Sequence, residues 1–127
     1  MRVRLALLAM LLASPAYAHH SGAMFDREKT VSLSGTIKAY EFTQPHTWIR
    51  IMVPTSDGGE DEWAIEGNAP QNMRARGFVP SELHPGQKVT VRAHPLRDGR
   101  KGASIIDLTF ADGRVLTTIG AKGPSAP

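Results

Sequence analysis

The sequence predicts a mainly β domain, a small barrel of five to six strands with one short helix between the third and fourth strands. Apolar and polar residues alternate with a period of two over several short segments, as they do in half-buried strands. One segment has proline at its start and glycine just past its end, the pattern of a short helix. Turn-forming pairs such as Asp-Gly and Pro-Gly separate these segments.

The first three strands are predicted at residues 30–42, 46–53 and 62–66. Gly35 falls within the apolar series of the first strand, where a glycine indicates a β-bulge or a sharp bend. The two faces of the second strand differ less in polarity, so the pattern leaves its inner face open. A turn at residues 56–59 leads into the third strand, which carries Trp63 and Ile65 on its apolar side.

The helix is predicted at residues 69–76, with Pro70 near its start and Gly77 just past its end. The remaining strands are predicted at residues 87–94, 103–110 and 114–119. On the fifth strand, the alternation places Ile106, Leu108 and Phe110 on one face. Three strands, a helix and two more strands is the element order of an OB-type barrel. A six-stranded sandwich would satisfy the same pattern.

The N-terminal residues 1–18 are predicted to be a secretory signal peptide. Arg2 and Arg4 precede an apolar run at residues 5–13, and small residues follow it at 14–18. The run is much shorter than the roughly 20 residues of a membrane span. We therefore expect no transmembrane segment in the mature chain, and a periplasmic or secreted location.

The cleavage position decides which residue becomes the new N-terminus. The A-x-A pattern at Ala16 and Ala18 predicts cleavage before His19. A second register, with Ser14 and Ala16 as the recognition residues, would start the mature chain at Tyr17. Both registers place a histidine among the first few residues.

Composition is consistent with one exported domain at residues 19–120, followed by a disordered Pro/Gly-rich tail at 121–127. The chain has 15 basic and 12 acidic residues, and removing Arg2 and Arg4 with the signal peptide leaves a net charge near +1. Such a balance gives no electrostatic reason to expect a nucleic-acid partner. Cysteine is absent, so no disulfide holds the fold.

Six motifs along the chain resemble those of a family of small exported bacterial domains of unknown function. They are A-H-H-S at 18–21, L-S-G-T-I at 33–37, Q-P-H at 44–46, W-A-I-E at 63–66, H-P-G-Q-K-V at 84–89 and H-P-L-R-D-G at 94–99. This family commonly has Asn-Pro-His where the present sequence has Gln-Pro-His, a departure that keeps the imidazole. The resemblance implies location and architecture, and no reaction.

A mature chain that begins with His19 would have a chelating N-terminus. Its α-amine and its ring Nδ1 can bind one metal ion together, and a further imidazole would complete a nitrogen set that favours Cu(II). The amine has a reference pKa of about 7.7–8.0, so the metal displaces a proton at modest cost near neutral pH. In the second register His19 is the third residue, and an amino-terminal x-x-His also binds Cu(II) or Ni(II).

His46 is the candidate for the further imidazole, because it begins a strand directly after the rigid Pro45. His20 competes with it, although adjacent side chains in an extended chain point to opposite sides. The weaker candidate ligands are Met24, Asp26 and Glu66. The alternative for His46 is a structural hydrogen bond to a carbonyl at the strand end, and we expect His84 and His94 to be structural.

The function classes left by the sequence are a copper-binding protein, a metal-free binding module and a structural envelope protein. We expect no enzyme, because the chain has no cysteine and neither a G-x-S-x-G nor an H-E-x-x-H motif. A periplasmic binding module would recognise a peptide, a glycan or a small ligand on the barrel face. Its candidate ligand-binding residues are Trp48, Arg50 and Glu66, beside the loop at 44–46.

We predict that the exported protein begins at His19, which intact-mass measurement after export checks directly. A mass that corresponds to a chain beginning at Tyr17 would establish the second register. A chain that begins after His20, or that keeps residues 1–18, would contradict the prediction and remove the chelating terminus.

Overall fold

A computed structural model describes residues 21–120, which form a six-stranded sheet curled into a barrel. In chain order, the elements are a 3₁₀ helix (Ser21–Met24), β1 (Val31–Glu41), β2 (Trp48–Pro54), β3 (Glu60–Glu66), α1 (Pro70–Arg74), β4 (Lys88–Pro95), β5 (Gly102–Phe110) and β6 (Val115–Thr117). The predicted signal peptide, His19, His20 and the predicted tail at 121–127 lie outside the described residues.

The barrel closes through a parallel pairing of β3 with β5, in which Ala64 lies opposite Gly102. The strand order is β3-β2-β1-β4-β5-β6, and all the other pairings are antiparallel. With β6 as an added strand, the order around the barrel is that of an OB-type fold. The predicted fold class is confirmed, and the closing pair excludes the sandwich.

The long strand β1 belongs to both halves of the barrel, because its first part pairs with β4 and its second part with β2. The register shifts between Ile37 and Ala39, which places a β-bulge at Lys38. Gly35 lies where the backbone of β2 comes close, and a Cβ added there would collide with the carbonyl oxygen of Met52. The glycine thus marks a close backbone approach, and the bulge follows three residues later.

The inner face of β2, which the sequence pattern left open, carries Ile49 and Ile51, and the adjoining Thr47 is also buried. The two isoleucines join a hydrophobic core built from all five barrel strands. The buried Thr47 hydroxyl donates to the carbonyl oxygen of Asn68 at 3.1 Å, so its polar group is satisfied. Met73 of α1 and the following Phe78 complete this core with fully buried side chains.

The prediction that Ile106 shares a face with Leu108 and Phe110 was wrong. Along β5, Ile105 pairs with Ala93 and Asp107 with Arg92, so Ile106 is the extra residue of a bulge. The bulge shifts the alternation by one position, so that Ile105 joins the core cluster instead. Ile106 is also buried, although it is not a member of that cluster. Its carbonyl oxygen accepts a hydrogen bond from the N–H of Thr118, which follows β6.

The segment that precedes β1 is fastened to the loop between β4 and β5. The Asp26 N–H donates to the Pro95 carbonyl at 2.8 Å, and the Arg97 N–H donates to the Met24 carbonyl at 2.9 Å. Between them, Phe25 bridges to Leu96 and is 4% exposed. This attachment fixes where the chain enters the barrel. No helix within residues 21–120 is long and apolar enough to cross a membrane.

We predict that Gly35→Ala lowers the free energy of unfolding by about 1–3 kcal/mol, because the added carbon forces β1 and β2 apart. Urea denaturation followed by circular dichroism measures the change. Gly22→Ala is the control, since its added carbon meets only the Arg27 side chain at 3.5 Å. We expect the control to change stability by less than about 0.5 kcal/mol. Equal midpoints for the two variants would contradict the close approach.

Candidate ligand-binding cleft

A cleft of about 350 Å³ lies on the outer face of β2 and β3, beside the N-terminal segment and the β4–β5 loop. Trp48, Arg50 and Glu66, which the sequence predicted as ligand-binding residues, all line this cleft. Met24 also lines it, and its side chain is exposed. The structure therefore brings the three predicted residues together at one concave surface.

The antiparallel register of β2 and β3 explains why these residues share a face. Trp48 lies opposite Glu66, and Arg50 lies opposite Ala64. The residues between them, Ile49 and Ile65, point into the core, so the flanking side chains point outward. Across the parallel pairing, Gly102 and Leu96 border the cleft next to Ala64.

Three cationic side chains line the cleft, and each has an acidic partner outside its lining. Arg50 Nε lies 3.0 Å from Glu41, and its guanidinium is 5.7 Å from the centre of the Trp48 ring. The other two pairs are Arg100 with Asp98 at 2.7 Å and Lys101 with Asp61 at 3.0 Å. All three cations of the cleft are therefore already ion-paired.

Glu66 is the one acidic residue of the cleft, and it is 8% exposed. Burial raises the pKa of its carboxyl, and the nearby His46 opposes that rise. Its Oε1 atom lies 3.3 Å from His46 Nδ1. Glu66 therefore offers the cleft a hydrogen-bond acceptor in partly apolar surroundings.

His46 has its ring Nδ1 3.1 Å from the carbonyl oxygen of Gly67, as well as near Glu66. A hydrogen bond to a carbonyl is the structural role that sequence reasoning offered as the alternative to metal binding. It also fixes the ring orientation, so that Nε2 points away from these two oxygens. In the loop that leads to His46, the Gln44–Pro45 peptide bond is cis.

The other histidines and weaker candidate ligands are placed as follows. His94 Nδ1 lies 2.8 Å from the Lys29 carbonyl, a structural hydrogen bond, and His84 is exposed at a turn. Asp26 is ion-paired with Lys29 and Arg97, at 3.4 and 3.7 Å, and does not line the cleft. Within residues 21–120, no three histidine or acidic side chains form a group that could hold a metal.

Sequence reasoning missed the contribution of the β4–β5 loop, which adds Leu96, Arg100 and Lys101 to the cleft. Residues 97–101, R-D-G-R-K, indicated a turn, and they include the two cationic residues that line the cleft. Nothing in the run indicates which strand it faces, because the parallel pairing of β3 with β5 joins segments that are distant in the chain.

Comparisons with known proteins give a family and two solved structures of one protein with a similar fold. Two crystal structures of the mitochondrial single-stranded DNA binding protein Rim1 from S. cerevisiae match with 16% and 14% identity and TM-scores of 0.49 and 0.47. Each match covers 65% of this chain and 94% or 93% of the other. No curated protein matches the sequence. The model of a family of unknown function, DUF6152, matches residues 7–105, and the chain belongs to that family.

Proposed function

We propose that the protein is an exported copper-binding protein that holds Cu(II) through its mature N-terminal His19 and through His46. The observation that carries this proposal is the attachment of the chain at Met24 beside the cleft that contains Glu66, the neighbour of His46. The N-terminus of an exported chain would therefore start close to a fixed imidazole.

Chain length supports a meeting of the two histidines. Ser21–Met24 forms a 3₁₀ helix, whose three residue steps advance roughly 6 Å, and two extended steps back to His19 add at most about 7 Å. Met24 and Glu66 line the same cleft of about 350 Å³, and Glu66 lies 3.3 Å from the His46 ring. The N-terminus of the mature chain can therefore lie up to roughly 13 Å from Met24.

The orientation of His46 also favours a ligand role. Metal-binding histidines usually donate one ring N–H to a carbonyl or a carboxylate, which orients the ring and leaves the other nitrogen for the metal. His46 has both kinds of acceptor beside Nδ1, Gly67 and Glu66. Its Nε2, with the amine and ring nitrogen of His19, would supply three nitrogens of the type that Cu(II) prefers.

We predict that protein beginning at His19 binds one Cu(II) per chain, with a d-d absorption band that an added residue before His19 shifts. His46→Ala is expected to weaken binding by at least about tenfold, the lower bound for losing even an orienting neighbour of a metal ligand. Competition titration against a chelator of known affinity measures the loss. His84→Ala is the matched control, because His84 is an exposed histidine away from the cleft.

Two outcomes would contradict the copper proposal. If His46→Ala and His84→Ala bound Cu(II) with equal affinity, His46 would not be a ligand. If the whole protein bound no more tightly than a peptide of residues 19–24, the fold would contribute nothing and copper binding would be adventitious.

The second candidate function is a metal-free periplasmic module that recognises a peptide, a glycan or a small ligand. It is favoured by a specific observation, the gathering of Trp48, Arg50 and Glu66 in one cleft. Ligand binding that persists with excess chelator present would distinguish this function from copper binding.

A further inference from the structure

The cleft beside Trp48 has the size and the lining of a site for one small, largely apolar molecule. Its volume of about 350 Å³ lies near the lower end of the roughly 300–1,000 Å³ range of ligand pockets. Phe25, Ala64 and Leu96 join the Trp48 ring in an apolar lining. The body of a ligand that fills this space should therefore be compact and apolar.

The cations around the cleft do not make it a site for an anion. Each of the three is ion-paired with a carboxylate that lies outside the lining. The Lys101 ammonium also lies 5.5 Å from the centre of the Trp63 ring, on the other face of β3. The Arg50 guanidinium is held by its carboxylate partner beside the Trp48 ring. Among the residues that line the cleft, no cation is left for an anionic ligand.

Glu66 is the charge that these ion pairs leave uncompensated. It is 8% exposed and lies opposite Trp48 across the β2–β3 pairing. Its ion-pair neighbour is His46, whose Nδ1 lies 3.3 Å from Glu66 but 3.1 Å from the Gly67 carbonyl, and this nitrogen carries only one hydrogen. Burial raises the pKa of the Glu66 carboxyl, and among the described groups only His46 opposes the rise. Arg50 therefore does not offset the Glu66 charge, although both residues line the cleft.

A buried carboxylate of this kind selects a cationic hydrogen-bond donor on the ligand. Removing a carboxylate from water without a full set of donors costs free energy, and a ligand that supplies the donors offsets that cost. A primary ammonium group has three N–H donors and the opposite charge, and charge-assisted hydrogen bonds are roughly twice as strong as neutral ones. A neutral hydroxyl would bind Glu66 more weakly, and a carboxylate would be repelled.

We infer that the cleft binds a small primary amine with an apolar body. The ammonium group donates to Glu66, and the body packs against Trp48 and Leu96 of the lining. The inference rests on the binding-module function of the cleft and does not depend on copper.

The test is isothermal titration calorimetry of the mature protein with 2-phenylethylamine, in the presence of EDTA. The comparison probes are 2-phenylethanol, which replaces the ammonium by a neutral hydroxyl, and phenylacetate, which replaces it by an anion. We expect saturable one-site binding of the amine, with the alcohol at least about tenfold weaker because it loses the charge assistance, and the acid weaker still. Equal binding of the amine and the alcohol, tighter binding of the acid, or binding of none would overturn the inference.

Variants locate the site. Glu66→Gln, which keeps the shape of the side chain and removes its charge, should weaken 2-phenylethylamine about tenfold or more. The matched control is Glu60→Gln, the same change at an exposed position on the same face of β3 that does not line the cleft. Ala64→Leu should abolish binding by filling the cleft, and circular dichroism checks that each variant is folded. Equal effects of the two glutamine variants, or full binding by Ala64→Leu, would overturn the assignment to this cleft.

The same measurements separate this inference from the copper proposal. EDTA removes copper from every titration, so a positive result stands whatever the copper affinity is. If 2-phenylethylamine does not bind while one Cu(II) does, the amine inference fails and the copper proposal stands. Saturable binding of a neutral disaccharide such as cellobiose in place of the amine would overturn the inference in favour of a glycan site.

Discussion

The parallel pairing of β3 with β5 is the constraint on which the rest of the structure depends. It places Gly102 beside Ala64 and turns an open sheet into a barrel, which buries one face of every barrel strand. Closure also pairs strand edges that would otherwise expose unsatisfied backbone groups. Because β5 begins there, the loop before it is brought against β2 and β3, and that contact creates the cleft.

The attachment of the N-terminal segment connects the fold to both proposed activities. Backbone hydrogen bonds from Asp26 and Arg97 hold the chain next to the β4–β5 loop, and the buried Phe25 anchors it. Backbone pairing and a buried aromatic ring together resist fraying more than exposed side-chain contacts would. The chain therefore leaves the barrel at Met24, beside the cleft that contains Trp48 and Glu66.

Much of the fold could be predicted from the sequence. What the prediction missed are the two β-bulges, which interrupt the alternation of side chains. Alternation predicted six strands and their approximate ends, and the proline and glycine signals predicted α1. At Ile106 the prediction failed because a bulge adds one residue and reverses which side chains face inward. The sequence did not locate the bulge at Lys38 either. The glycine at Gly35, which was read as a bulge or a bend, marks a close approach of the β2 backbone instead.

The sequence by itself determined the element types, the shared face of Trp48 and Arg50 along their strand, and the placing of two histidines near a predicted cleavage site. These features depend on side-chain alternation and turn chemistry within a few residues. Only the tertiary structure decided the inner face of β2, the two hydrogen-bond acceptors beside His46 and the approach of Arg100 and Lys101 to Ala64. Those features arise from pairings between segments far apart in the chain, which local periodicity does not encode.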